Sequence, residues 1–103
     1  GVVYLYDAET GALRDRIAAG TSDGFFGKDL ALDGNLLVVA DYKAGFLRMF
    51  DARTAEPLGQ LEPGEHVGNF AQSVAASGST VVAGAENDND VEQRNGAAFI
   101  FTR

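Results

Sequence analysis

The sequence repeats itself with an offset of 44 residues, and this repeat constrains the fold more than any other feature. Between residues 1 and 84, the two copies of the repeat align without a gap. A third copy starts at residues 96–101, which repeat the pattern of residues 1–6 and begin 51 residues after Gly45; the seven residues in excess of the 44-residue period fall in an acidic loop near residues 86–95. Identical residues recur at Gly1 and Gly45, Asp7 and Asp51, Thr10 and Thr54, Phe26 and Phe70, Ala31 and Ala75, Gly34 and Gly78, and Val38 and Val82.

Each period holds four short apolar runs separated by turn signals. Gly34 and Gly78 lie in hairpin signals, where glycine supplies the positive φ that a tight turn needs. Residues 7–11 and 51–55 are predicted to form longer hairpin loops in which an Asp and a Thr bond turn amides. No segment keeps a helical period for three turns without glycine, so helix is not expected. The sequence predicts strands at 2–6, 12–18, 28–32, 35–40, 46–50, 57–61, 71–76, 79–85 and 97–102.

Four short antiparallel strands in about 44 residues form the unit of a propeller blade. The predicted fold is therefore all-β: a β-propeller segment of four-stranded antiparallel blades, with about two and a quarter repeats. Residues 1–24 are expected to be the outer strands of one blade, 25–68 a complete blade, and 69–103 the three inner strands of another. Such a piece does not close a ring, so we expect a longer propeller or neighbouring subunits to complete it.

Side-chain polarity indicates how the blades pack. The run at residues 36–40 is apolar at every position, so this strand must be covered on both faces, as it is when blades stack face to face. Phe26 and Phe70 recur at the same repeat position and are expected to fill the space between blades. The aromatic residues of the third strands are expected in the core: Tyr4, Tyr6, Phe50, Phe99 and Phe101.

The charge balance excludes several kinds of partner. Fifteen acidic residues against eight basic ones give a net charge of −7, which repels phosphate backbones and anionic lipid. Nucleic acid is therefore not expected as a partner. No apolar run approaches the roughly 18 residues that cross a bilayer, so membrane insertion is not expected either. The chain has no cysteine, which excludes disulfides and thiol chemistry.

Several segments resemble the FG-GAP repeat, which is named for a Phe-Gly pair and a later Gly-Ala-Pro. Phe26-Gly27, the segment 33–40 and the glycine-led aromatic strand at 96–101 are similar to that pattern, as are residues 70–71 and 78–85. The chain departs from the naming motifs at three places. It has Phe-Ala at 70–71, Gly-Ala-Glu at 84–86 and Ala-Asp-Tyr at 40–42.

The resemblance implies a fold and a way of working. FG-GAP domains are typically extracellular or periplasmic propellers, including the head of integrin α subunits. They bind protein or glycan partners and are not, as a class, enzymes. The resemblance thus implies a non-catalytic binding or structural module at the cell surface, outside the cell, or in a bacterial periplasm.

A second propeller family competes with this interpretation. The segment 3–13 also resembles the repeat of quinoprotein-type propellers, in which an Asp-Ala-x-Thr-Gly turn recurs. Those repeats usually end on a tryptophan that docks neighbouring blades, and this chain has none. WD-repeat proteins require a Trp-Asp pair, which is missing too. A fragment of a quinoprotein-like enzyme or scaffold remains the alternative.

One loop has the composition of a metal site. Its acids alternate, and alternate loop oxygens can converge on one calcium ion. The FG-GAP family often carries calcium in such a loop, but its pattern requires a glycine and an acid where this chain has Val91 and Arg94. A solvated acidic hairpin tip is the competing interpretation. The candidate calcium ligands are Glu86, Asp88, Asp90 and Glu92.

No catalytic residue is predicted. His66 is the only histidine, and no Ser or Asp accompanies it at the spacing of a catalytic triad, so it is expected to be a surface or turn residue. Phe25 lacks an aromatic counterpart in the second repeat, which has Asn69 there, and is freer to contact a ligand than Phe26. Calcium is the one cofactor that the sequence suggests.

Overall fold

A computed structural model describes residues 1–18, 26–41, 45–62, 73–85 and 97–102. Over these ranges the chain is all-β, as the sequence predicts, and contains no helix. The described residues therefore include no apolar helix long enough to cross a membrane. The strands are β1 (Val2–Tyr6), β2 (Leu13–Ala18), β3 (Phe26–Asp33), β4 (Leu36–Asp41), β5 (Phe46–Asp51), β6 (Pro57–Leu61), β7 (Ser73–Ser77), β8 (Thr80–Ala85) and β9 (Ala97–Thr102).

The strands form three antiparallel sheets in chain order. The first sheet is β1-β2, the middle sheet is β3-β4-β5-β6, and the third sheet is β7-β8-β9. Two, four and three strands are the numbers that the repeat predicts. The domain boundaries proposed near residues 24 and 68 lie outside the described residues.

β2, β4 and β8 each start one residue later than predicted, and the starts of β3 and β7 differ from the prediction by two residues. β3 begins at Phe26 rather than at residue 28, because the ladder continues past an irregularity between Phe26 and Leu30, where Gly27 has a φ of 91°. A positive φ suits glycine, which lacks a Cβ. The strand predicted at 71–76 is described as Ser73–Ser77, and Phe70 lies outside the described residues.

The middle sheet is covered on both faces, as the apolar run at 36–40 predicts. Its front face, defined by Leu36, Val38 and Ala40, packs against the third sheet. Its back face, defined by Leu37, Val39 and Phe50, packs against the first sheet. Every residue of β4 is buried. This double burial makes β4 the centre of the structure.

Both interfaces between sheets have the same orientation. The third sheet packs against the front face of the middle sheet through Val74, Val81 and Phe99. In the repeat alignment, these three residues are equivalent to back-face positions of the middle sheet. The first sheet packs against the back face of the middle sheet through Val3 and Ile17. In the repeat alignment, these two residues are equivalent to Leu47 and Leu61, which lie on the front face of the middle sheet. Each interface therefore joins the front face of one sheet to the back face of the next, a head-to-tail arrangement.

Polar groups also bridge neighbouring sheets. Arg14 Nη2 donates to the carbonyl oxygens of Ala52 and Arg53, both at 3.0 Å. Asp29 Oδ2 accepts the amide of Val74 at 2.8 Å, and Asp33 Oδ2 accepts the amide of Gly78. Because hydrogen bonds are directional, these contacts fix the registration of the stack, which apolar packing alone does not.

The aromatic predictions are only partly correct. Phe50 is buried, Phe99 and Phe101 pack half-buried against the front core, and Phe26 is buried between the first and middle sheets. Tyr4 and Tyr6 are 53% and 57% exposed, so their predicted place in the core is wrong. They lie on the outward face of the first sheet, which no described sheet covers.

Burial between the sheets predicts a large effect of truncating Leu47, which is 0% exposed in the front core. We expect Leu47→Ala to lower the free energy of unfolding by about 2–5 kcal/mol, because it removes buried methyl groups and leaves a cavity. Leu58→Ala is the matched control: Leu58 is 47% exposed, so the expected loss is under about 1 kcal/mol. Urea unfolding at one fixed protein concentration measures both values. Equal losses would contradict the assignment of the core.

Candidate functional site

Two equivalent turns form one rim of the stack. Asp7 Oδ1 accepts the amides of Glu9 at 2.8 Å and Thr10 at 3.2 Å, and Asp51 Oδ1 accepts the amide of Arg53 at 2.8 Å. The threonines complete both turns: Thr10 Oγ1 accepts the amide of Ala12, and Thr54 Oγ1 accepts that of Glu56. The predicted role of Asp and Thr in these loops is confirmed.

The two turns also share a left-handed backbone position. Gly11 has a φ of 76° in the first turn, and Ala55 has a φ of 66° at the equivalent position of the second. Alanine rarely adopts this conformation. The second turn therefore keeps the left-handed geometry of the first with Ala55 in place of glycine, at the cost of backbone strain.

Hydrogen bonding within the first turn perturbs one carboxyl group. The pKa of Asp7 lies below its ordinary value, chiefly because the amides of Glu9 and Thr10 stabilise the ionised form, with a smaller contribution from the positive charge of Arg14. The ionised side chain of Asp7 thus stabilises the conformation of the turn.

A cleft of about 310 Å³ opens at the same rim, where the middle and third sheets meet. Carboxylate and amide groups lie beside two leucine side chains, so the cleft combines hydrogen-bonding groups with apolar surface. Its carboxylates already hold the turns in place: Asp33 accepts from Gly78, and Asp51 accepts from Arg53. The lining residues are Asp33, Asn35, Leu36, Asp51, Leu58 and Gly78.

The sequence alone does not predict this cleft. Its residues come from three turns that the stacking of the sheets brings together, and they form no local motif. The repeat does contain one usable signal. Leu58 stands where the first repeat has Arg14, the residue whose guanidinium bridges the first and middle sheets. A leucine lacks the hydrogen-bond donors needed to make that bridge.

A second polar feature lies at the opposite end of β4. Asp41 is 3% exposed, and its Oδ2 lies 3.8 Å from Arg48 Nη1. The guanidinium carbon of Arg48 lies 5.0 Å from the ring centroid of Phe26 and 5.7 Å from that of Phe50, which is cation–π geometry. Among the described residues, no hydrogen-bond partner reaches Asp41 Oδ1. The cluster ties β3, β4 and β5 together beside the back-face core.

The residues predicted from sequence as site candidates are not described. Glu86, Asp88, Asp90 and Glu92 lie outside the described residues, as do His66 and Phe25. Calcium binding by this loop stays a prediction. Within the part of the chain that the structure describes, no group of three or more His, Cys, Asp or Glu side chains is placed to hold a metal ion.

One segment of the chain matches a known repeat family. Residues 64–101 match the model of the FG-GAP repeat. No curated protein matches the chain. The chain therefore carries an FG-GAP repeat, and in the described part of that segment its strands are β7, β8 and β9.

The lowered pKa of Asp7 predicts an acid-dependent loss of stability. The ionised carboxylate stabilises the folded turn above the pKa of the unfolded chain, and this contribution disappears as the pH falls through the lowered folded pKa. Carboxyl-carbon NMR should therefore show Asp7 titrating below the ordinary range of aspartates. The stability difference between wild type and Asp7→Asn should shrink to zero over the same pH interval. An Asp7 that titrates at or above its ordinary pKa would contradict this account.

Proposed function

We propose that this chain is a non-catalytic binding or structural module of an FG-GAP-like β-propeller. The observation that carries the proposal is the head-to-tail stack of repeated sheets, which holds the turns of successive repeats side by side on one rim. The FG-GAP repeat at residues 64–101 supports the same conclusion. On this proposal the module works outside the cell, at its surface or in a periplasm, and it recognises a protein or a glycan.

The rim is suited to recognition because its turns are fixed from several directions. The Asp and Thr side chains bond the amides of each turn, and Arg14 and Asp33 link the turns to neighbouring sheets. Loops on a rigid scaffold bind with a smaller loss of conformational entropy than mobile ones. The cleft between the middle and third sheets is the candidate contact surface.

The cleft favours a partner with hydrogen-bonding groups beside apolar carbon atoms. Asn35 offers an amide donor and acceptor, the carboxylates of Asp33 and Asp51 accept, and Leu58 supplies exposed apolar surface. Sugar hydroxyls with an adjacent C–H face have this composition, and so do polar side chains of proteins. Loop recognition of this kind uses no catalytic group.

Binding to glycan arrays and to a library of purified extracellular proteins tests the proposal. We expect saturable binding by the wild-type chain and at least tenfold weaker binding, about 1.4 kcal/mol, by an Asn35→Ala/Leu58→Glu variant. Glu9→Ala, on the exposed turn of the first sheet, is the matched control and should bind like wild type.

Repeating the titration with calcium and with a chelator tests the acidic loop separately. A dependence on calcium that is lost in an Asp88→Ala/Asp90→Ala variant would support the calcium hypothesis. Equal binding by the cleft variant and the wild type would contradict the cleft as the contact surface. Turnover of any bound ligand would contradict the non-catalytic assignment.

A further inference from the structure

One ion pair interrupts the apolar interior of the middle sheet. Within the described ranges, Asp41 is the one polar or charged residue that is buried, and its Oδ2 lies 3.8 Å from Arg48 Nη1. That distance is longer than a hydrogen bond, and no partner among the described residues reaches Asp41 Oδ1. The free energy lost when a carboxylate leaves water is recovered only through well-formed hydrogen bonds. The pair is therefore a poor source of stability.

The ion pair belongs to one repeat and does not recur. Asp41 on β4 and Arg48 on β5 are diagonal neighbours across the ladder that joins these two strands. In the repeat alignment, Ala85 of β8 stands at the position of Asp41, and Phe99 of β9 stands at the position of Arg48. β8 and β9 pair in the same register, so the third sheet has an apolar pair where the middle sheet has an ionic one. The first repeat carries Tyr4 at the position of Arg48.

The apolar residues of these strands distinguish poorly between correct and incorrect partners. β4 and β8 share an apolar pattern in which Val38 recurs as Val82, and β5 and β9 share one in which Phe50 recurs as Phe101. Apolar packing tolerates side chains of similar size, and exchange of equivalent elements is a characteristic folding error of repeat proteins. A strand of one repeat could therefore pair with the equivalent strand of another unless a specific contact prevents it.

We propose that the Asp41–Arg48 ion pair specifies β5 as the partner of β4 and so prevents the exchange of strands between repeats. Pairing of β4 with β9 would place Phe99 diagonal to Asp41, where the carboxylate needs a cation. Pairing of β8 with β5 would place Ala85 diagonal to Arg48, where the guanidinium needs an anion. A buried charge that loses its partner is strongly destabilising even where the intact pair adds little. This device concerns strand pairing and is independent of the proposed binding role.

The third repeat supplies the matched replacement for a test. Asp41→Ala/Arg48→Phe gives the middle sheet the residues of the third sheet at both positions and removes both charges together. Asp41→Ala alone leaves the guanidinium without its carboxylate. Met49→Ile is the control, because it also introduces a third-repeat residue into β5, conserves volume and leaves the ion pair intact.

Backbone NMR measures the specificity of strand pairing. We expect wild type and Met49→Ile each to show one set of amide signals, with cross-strand nuclear Overhauser effects that join β4 to β5. The Asp41→Ala/Arg48→Phe variant should show a second set, with contacts between β4 and β9. A second set that grows with protein concentration would report exchange between chains, and one that does not would report exchange within a chain. Either form of exchange supports the proposal.

Urea unfolding measures the cost of a lone charge. We expect Asp41→Ala to unfold at a lower urea concentration than wild type, and the double variant to unfold at a higher concentration than Asp41→Ala. A double variant with a single set of signals and the native contacts between β4 and β5 would overturn the role in strand choice. A double variant with a urea midpoint at or below that of Asp41→Ala would also overturn the proposal, because the lone charge would then carry no penalty.

Discussion

Burial of β4 on both faces is the constraint on which the rest of the structure depends. A strand whose six residues are all buried must lie between two layers, and here the first and third sheets supply them. That requirement holds three small sheets in a stack, although a two-stranded sheet such as the first is at best marginally stable alone. The stack in turn brings the turns of successive repeats onto one rim. The candidate site is therefore a consequence of how the strand at the centre is covered.

The candidate site lies where the repeats differ. Arg14 bridges the first interface by donating to Ala52 and Arg53, and Leu58 occupies the equivalent position at the second. Leu58 lies in the cleft at this second interface, which is lined by polar and apolar side chains. Ala55 makes a similar point about strain, because the turn keeps the left-handed geometry of Gly11 without its glycine. The residues that the repeats share thus maintain the scaffold, and the residues that differ between repeats create surfaces on which binding can be specific.

The strands could be predicted from sequence because turn residues separate short apolar runs, and the two-sided apolar run of β4 predicted its neighbours. Tyr4 and Tyr6 were misplaced because aromatic character indicates burial only when a covering layer exists. The cleft had no local signal, since Asp33, Asp51 and Gly78 come from separate turns. The Arg48 contacts with Phe26 and Phe50 were equally hidden, because they depend on strand pairing. The predicted calcium loop, Glu86 to Glu92, lies in a part of the chain that the structure does not describe.

Methyl–methyl nuclear Overhauser effects test the two-sided stack most directly. Specific labelling of valine, leucine and isoleucine methyl groups should connect Val3 and Ile17 with Leu37 and Val39 on one side of the middle sheet. It should also connect Val81 with Leu36, Val38 and Leu47 on the other side, since these groups share the two cores. The account predicts both sets of contacts in one sample, with none between Val81 and Val39. Contacts on one side alone, or mixing of the two sets, would contradict the stack on which the proposed function rests.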